Sequence, residues 1–167
     1  PISEMGFKTL RISIAWTRLF PTGEEIEPNP QGVAYYQSVF KALKKHHIEP
    51  IVTLSHYEMP LYLSKKYHGW LDRRLIDFFV TYAQAAFESF GEYVKYWLTF
   101  NEIDSVGRHP FITAGLIPDQ IPDDNLESAV YQSLHHQYVA AAKATTLLHQ
   151  MSPSSRMGSM LTKLTTY

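Results

Sequence analysis

Short runs dense in apolar and β-branched residues alternate along this chain with longer stretches in which apolar residues recur every three or four positions. The first pattern marks buried strands and the second amphipathic helices. Strands are expected at Thr9–Trp16 (TLRISIAW), Pro50–His56 (PIVTLSH), Tyr96–Glu102 (YWLTFNE) and Arg156–Leu161 (RMGSML). A first helix should open at Asn29-Pro30, an N-cap followed by a first-turn proline, and carry Val33, Tyr36, Val39, Phe40 and Leu43 inward before ending near His47. A second, Asp72 to Phe90, places Leu75, Phe78, Phe79, Tyr82, Ala86 and Phe90 on one broad face and has Gly91 as its C-cap. A third, Leu126 to Met151, has Ala129, Val130, Leu134, Ala141 and Leu148 on its apolar side and closes at Ser152-Pro153. The opening PISEMGFKTL reads as the last turn of a helix, with Met5-Gly6 as its C-terminal signal.

Strand, helix, strand in this repetition means βαβ units and a parallel sheet. Two architectures share that order, a doubly wound open sheet and part of a (β/α)8 barrel. The unusual polar side chains lie at the carboxyl ends of strands and in the loops that follow, at Ser13–Trp16, Ser55–Glu58 and Asn101–Asp104. Barrel enzymes keep their chemistry there. A nucleotide-binding doubly wound fold would have a glycine-rich turn after its first strand, and AWTRLFPTG contains no G-x-G-x-x-G. The expected fold is therefore α/β, a partial (β/α)8 barrel. A complete barrel takes about 250 residues and eight strands, whereas four strands are read here, so residues 1–167 are expected to form a single domain of roughly half a barrel, an internal piece of a longer enzyme.

Composition narrows the function. With 45% hydrophobic and 14% aromatic residues and a net charge of −1, the chain should be globular, and it has no general attraction to nucleic acid or anionic membrane. It has no cysteine, which excludes disulfides and thiolate chemistry. No apolar run reaches membrane-spanning length and no leader precedes the first strand, so a soluble, cytoplasmic protein is expected. Eight histidines are present, but they lack a metal-ligand spacing backed by carboxylates. Neither a metal nor a cofactor is expected.

Three residue groups carry candidate chemistry. Glu102 ends an apolar strand, and a carboxylic acid walled by aromatic side chains has surroundings that suit a general acid, although a capping or salt-bridging carboxylate would look alike. Asn101 precedes it and offers both donor and acceptor to a hydroxylated substrate. His56, followed by Tyr57, sits at the neighbouring strand end, and a ring donor beside an aromatic surface is the mixture a sugar needs; the bland alternative is a histidine that satisfies nearby backbone. Arg11 lies inside TLRISIAW, where a guanidinium is costly unless a carboxylate meets it; an inward arginine of a barrel can pin a carboxylate on a distant strand, whereas the bland alternative is an outward arginine on a helix-covered face. Trp16 reads equally as a floor for a ligand or as core.

Together, LRISIAWTRLFPTG, NPQGVAYYQSVFKAL, IEPIVTLSHYEMPLYL and YVKYWLTFNEID, in this order, resemble glycoside hydrolase family 1, the β-glucosidase family. They look like its second, third and fourth barrel units, while HHQYVAAAKA and SSRMGSM look like its fourth helix and the start of its fifth strand. The chain thus corresponds to strands 2 to 5 with their intervening helices. LSHYEMP and TFNEID look more like the 6-phospho-β-glucosidase branch, since Tyr57 and Ile103 stand where plain β-glucosidases typically have tryptophan and proline.

The resemblance implies Glu102 as acid/base, Asn101 as the residue that bonds the sugar 2-hydroxyl, His56 as a contact to a glycone hydroxyl and Arg11 as the partner of the nucleophile; Tyr57 and Trp16 join them as expected substrate contacts on the reading of the residues alone. It implies hydrolysis of 6-phospho-β-D-glucosides, delivered by a sugar phosphotransferase system, with retention of configuration. The family's nucleophile lies in a later T/I-E-N-G motif, absent here, so the isolated chain is expected to be inactive. The competing expectations are a non-catalytic half barrel that binds sugar or self-associates through two open sheet edges, and a fragment of a β-glucosidase that acts on non-phosphorylated substrates.

Overall fold

The computed structural model describes residues 2–121 and 125–162. Among these, four strands, β1 (Thr9–Ser13), β2 (Glu49–Ser55), β3 (Tyr96–Phe100) and β4 (Arg156–Gly158), form one sheet in the order β1-β2-β3-β4. All three pairings are parallel, with Arg11 opposite Ile51, Ile51 opposite Tyr96 and Tyr96 opposite Arg156. A doubly wound sheet reverses its strand order at a switch point; this one adds each new strand to the same edge, as a barrel does.

Three long helices make the crossovers: α2 (Pro30–Lys45), α4 (Leu75–Phe90) and α6 (Leu126–Met151). α4 packs against both α2 and α6, so the three form one continuous layer. Local chemistry sets their ends. Asn29 and Asn125 cap α2 and α6 by accepting from Gln31 N and Ser128 N, and Pro30 occupies the first position of α2. At the end of α4, Gly91 has φ −59°, and a Cβ there would lie 2.6 Å from the Phe87 carbonyl. Close approach of backbone, not a left-handed turn, therefore demands this glycine.

Between layers the core is strongly aromatic. Trp16, Trp70, Phe79, Tyr82 and Phe100 are buried against one another, with Phe79 and Phe100 stacked at 4.7 Å. Tyr82, on α4, donates to the Leu54 and Ile14 carbonyls at 2.7 and 2.9 Å, tying the helix layer to the exits of β2 and β1. Burial pushes its phenol well above the usual range, so it stays a donor.

The observed elements depart from the sequence reading at strand exits and in loops. β1 stops at Ser13, because Trp16 opens the short helix α1 (Trp16–Leu19). β2, β3 and β4 likewise stop at Ser55, Phe100 and Gly158, short of the polar residues assigned to them. Two further short helices, α3 (Leu61–Tyr67) and α5 (Pro110–Ala114), lie in the loops after β2 and β3, and α4 begins at Leu75 after a turn in which Asp72 accepts from Arg74 N. Residues 2–6 form turns in which Met5 N and Gly6 N bond the Ile2 and Ser3 carbonyls, with Gly6 at φ +82°; Pro1 lies outside the described residues.

Candidate active site

The exits of β1, β2 and β3 converge through one side chain. Arg11 donates from Nε to Thr53 Oγ1 at 3.0 Å, from Nη2 to Asn101 Oδ1 at 2.8 Å, and from Nη1 to Met160 Sδ at 3.0 Å. A residue of β1 thus reaches β2, the exit of β3 and the segment after β4. Its acceptors are a hydroxyl, an amide and a thioether, so these bonds leave the charge of the guanidinium uncompensated.

The bond to Asn101 settles an orientation. Arginine only donates, so the amide must turn its oxygen to Arg11 and present its NH2 elsewhere. Asn101 is buried, and its own N–H bonds the Ser55 carbonyl at 2.9 Å. The amide is therefore a fixed donor at the mouth of the sheet.

Glu102 and Tyr57 share an uncommon backbone. They have φ of +45° and +69°, in the left-handed region, where a side chain costs on the order of 1–3 kcal/mol. The other two non-glycine residues of this kind among the described residues, His47 and His68, sit at helix ends, where such turns are routine. At the strand exits the unusual backbone brings the side chains together: the Tyr57 phenol donates to Glu102 Oε2. Burial, and after it the bond to Glu102, push the phenol up, while Asn101 and Ser105 pull it the other way. Tyr57 accordingly remains protonated near neutral pH.

His56 lies beside this pair, its ring edge-on to Tyr57 at 5.2 Å. Burial holds it below the usual histidine value, and the Arg11 charge acts in the same direction; Glu102 opposes both. A neutral imidazole results, with one donor and one acceptor to offer. Glu102, Asn101, His56, Tyr57 and Arg11 thus form one constellation.

Trp16 does not join it. Its side chain is fully buried, stacked on Tyr82 at 5.3 Å and packed edge-on to Phe79 at 5.6 Å, so it is core and has no face to give a ligand. The expectation of a substrate contact there is corrected by packing. Sequence reasoning also missed Thr53 and Met160 as acceptors for Arg11, and Ser105 and Arg108 beside Glu102. The polar residues spaced through the segment after Glu102, at Asp104, Ser105 and Arg108, were the available signal for the last two; nothing in the sequence points to a positive φ at a tyrosine or a glutamate. Among the described residues, no group of three or more histidine, aspartate or glutamate side chains is placed to hold a metal ion, and no helix is long and apolar enough to cross a membrane.

The family model described as glycosyl hydrolase family 1 matches residues 2–167. The chain belongs to that family. Over 165 residues it is 50% identical to the aryl-phospho-β-D-glucosidase BglH of Bacillus subtilis, covering 99% of this chain and 35% of the relative. To the 6-phospho-β-glucosidase AscB of Escherichia coli it is 49% identical over 160 residues, 96% of this chain and 33% of the relative. The chain therefore spans about a third of the length of the curated family 1 relatives it matches.

Among solved structures, it superposes on the family 1 β-glucosidase of Thermotoga maritima with a TM-score of 0.82 at 28% identity, covering 96% of this chain and 35% of that one. A rice β-glucosidase mutant in a covalent complex with glucose gives a TM-score of 0.84 at 30% identity, with 95% and 35% covered. The four parallel strands and their helices are thus part of a family 1 (β/α)8 barrel.

Proposed function

We propose that the protein to which this chain belongs is a retaining 6-phospho-β-glucosidase, which hydrolyses 6-phospho-β-D-glucosides to glucose 6-phosphate and an aglycone. The observation that carries this is the constellation at the strand exits, where a carboxyl group, an amide with its NH2 presented, a neutral imidazole and a phenol meet. Identities near 50% to relatives named for 6-phospho-β-glucosidase activity support the substrate class.

In a retaining enzyme two carboxyl groups stand about 5 Å apart. Glu102 protonates the glycosidic oxygen while the second carboxylate attacks the anomeric carbon, and the aglycone leaves as an alcohol. Glu102, now ionised, then takes a proton from water as the water displaces the sugar from the second carboxyl, which restores both groups. The T/I-E-N-G motif that carries the second carboxylate in this family does not occur among the 167 residues. The uncompensated charge of Arg11 is the feature that would meet it. Asn101 Nδ2 serves the sugar 2-hydroxyl, and His56 a second hydroxyl. A phosphorylated sugar is a dianion that does not cross a bilayer unaided, so the enzyme works in the cytoplasm, where such a substrate is made.

Steady-state kinetics of a complete enzyme containing this sequence provide the test, with 4-nitrophenyl β-D-glucoside and its 6-phosphate as substrates. Preference for the phosphorylated substrate is expected, together with loss of turnover in Glu102→Gln on substrates with poor leaving groups. Equal use of both substrates would remove the phosphate from the proposal, and a Glu102→Gln variant that kept full kcat on a substrate with a poor leaving group, such as a methyl 6-phospho-β-glucoside, would remove Glu102. The 167-residue chain alone should release no nitrophenol, since a lone acid cannot complete the displacement.

A further inference from the structure

Glu102 is held from a second direction by the turn that follows it. Residues Ile103–Gly107 form a 3₁₀ turn latched to the segment after β4. Ile103 N donates to the Met160 carbonyl and Met160 N to the Phe100 carbonyl, each at 3.2 Å, so this segment is bonded on both sides of Asn101-Glu102. Asp104 Oδ1 accepts from Thr162 N at 2.8 Å.

Inside this latch lies a small donor network. Ser105 Oγ, in a buried residue, stands 2.8 Å from Arg108 Nη2, 3.2 Å from Thr162 Oγ1 and 3.5 Å from Glu102 Oε2. Arg108 Nη2 also donates to Thr162 Oγ1 at 3.0 Å. Arginine can only donate, so both hydroxyl oxygens accept from it and each keeps its own proton to give. One assignment satisfies every member: Thr162 donates to Ser105, and Ser105 donates to Glu102. The donors therefore end on Oε2, the same oxygen that accepts from the Tyr57 hydroxyl. Among the described residues, the charged and titratable groups that face this network are Arg108 and Asp104 on its own loop, His56 and Tyr57 after β2, and Arg11 from β1, acting through Asn101.

We propose that Ser105 and Arg108 are positioning residues: Arg108 holds Ser105, whose hydroxyl at 3.5 Å and the Tyr57 phenol both face Oε2 of Glu102, which reserves Oε1 as the oxygen that carries the transferred proton. An oxygen already facing two donors is a poor site for a third proton, and the rotamer is fixed from both sides. The arrangement couples the loop after β3 to the exit of β4, so the geometry of the acid depends on two barrel units at once.

This inference rests on Glu102 being the acid/base of a 6-phospho-β-glucosidase, and leaving-group dependence in the complete enzyme tests it. A methyl 6-phospho-β-glucoside needs protonation of its leaving oxygen; a 2,4-dinitrophenyl one does not. Ser105→Ala and Arg108→Met should each lower kcat/KM about ten-fold for the methyl substrate and less than about two-fold for the dinitrophenyl one, the size of effect that one hydrogen bond to a charged group carries. The double variant should be no worse than either single one, since both act along one chain of donors, and Arg108→Lys, which keeps a charged donor, should recover part of the loss. Equal losses on both substrates, the mark of a merely structural role, overturn the proposal, as does unchanged activity on both. Should Arg108→Met fail to fold, Ser105→Ala decides alone. Wild-type enzyme that hydrolyses neither substrate overturns the acid/base reading itself, an outcome distinct from the others.

Discussion

Tyr57 and Glu102, 45 residues apart in sequence, meet across the exits of adjacent strands, each with a left-handed backbone, and the phenol donates to Oε2 of the carboxyl. Unusual φ at both partners of one hydrogen bond indicates that the surrounding fold fixes their meeting. Tyr57→Phe keeps the ring and the backbone and removes only the donor. In the complete enzyme kcat/KM on a methyl 6-phospho-β-glucoside, whose leaving oxygen needs the proton, should fall about ten-fold, with little change in thermal midpoint. Undiminished kcat/KM would show that this bond does not contribute to the acid.

Arg11 bonds three different groups through three different nitrogens, and one of those bonds decides which way the Asn101 amide points. A lysine in its place keeps the charge but lacks the planar fork that reaches β2, the β3 exit and the β4 segment together. Arg11→Lys should lower kcat about a hundred-fold, because the Asn101 amide loses its fixed partner, as would the second carboxylate in the proposed mechanism. A measured loss below about three-fold would mean that a point charge suffices there.

His56 gives a pH signature with a definite sign. Its value in the folded chain lies below the ordinary 6.5, chiefly through burial. The unfolded chain therefore binds the proton first as pH falls, and the stability that the neutral ring contributes is fully present above 6.5 and is lost as pH drops from there through the lower value of the folded chain. Denaturant unfolding of wild type and His56→Gln between about pH 8 and pH 5 should give a shallower acid decline in the variant. Parallel curves would assign the decline to other groups.

The long elements were legible because periodicity and end signals agreed. The apolar spacing and the Ser152-Pro153 stop place a helix at about Leu126 to Met151, where α6 lies, and Asn29-Pro30 marks the start of α2. Strand exits were overextended for a physical reason. Ladder bonding continues past the regular strand, as Ile14 N and Asn101 N still bond the Thr53 and Ser55 carbonyls, while the side chains there already belong to loops. Glu102, Asn101, His56 and Arg11 were visible as polar residues out of place in apolar strands. The rest of the site depends on tertiary geometry: a positive φ at Tyr57, a thioether acceptor at Met160 and a serine three residues beyond Glu102 leave no periodic trace.

Trp16 shows how an aromatic residue at a strand exit divides between core and site. In sequence it stands where a sugar-stacking ring would stand; in the fold it is sealed under Tyr82 and Phe79. A ring that binds substrate and one that fills the core respond differently to substitution. Trp16→Phe should leave KM within about two-fold while lowering the thermal midpoint, and Trp16→Ala should cost about 3–5 kcal/mol in unfolding free energy, as loss of a buried indole does. Paired measurement of KM and denaturant midpoint in the complete enzyme separates the two roles: a ten-fold rise in KM with unchanged stability would return Trp16 to the binding site.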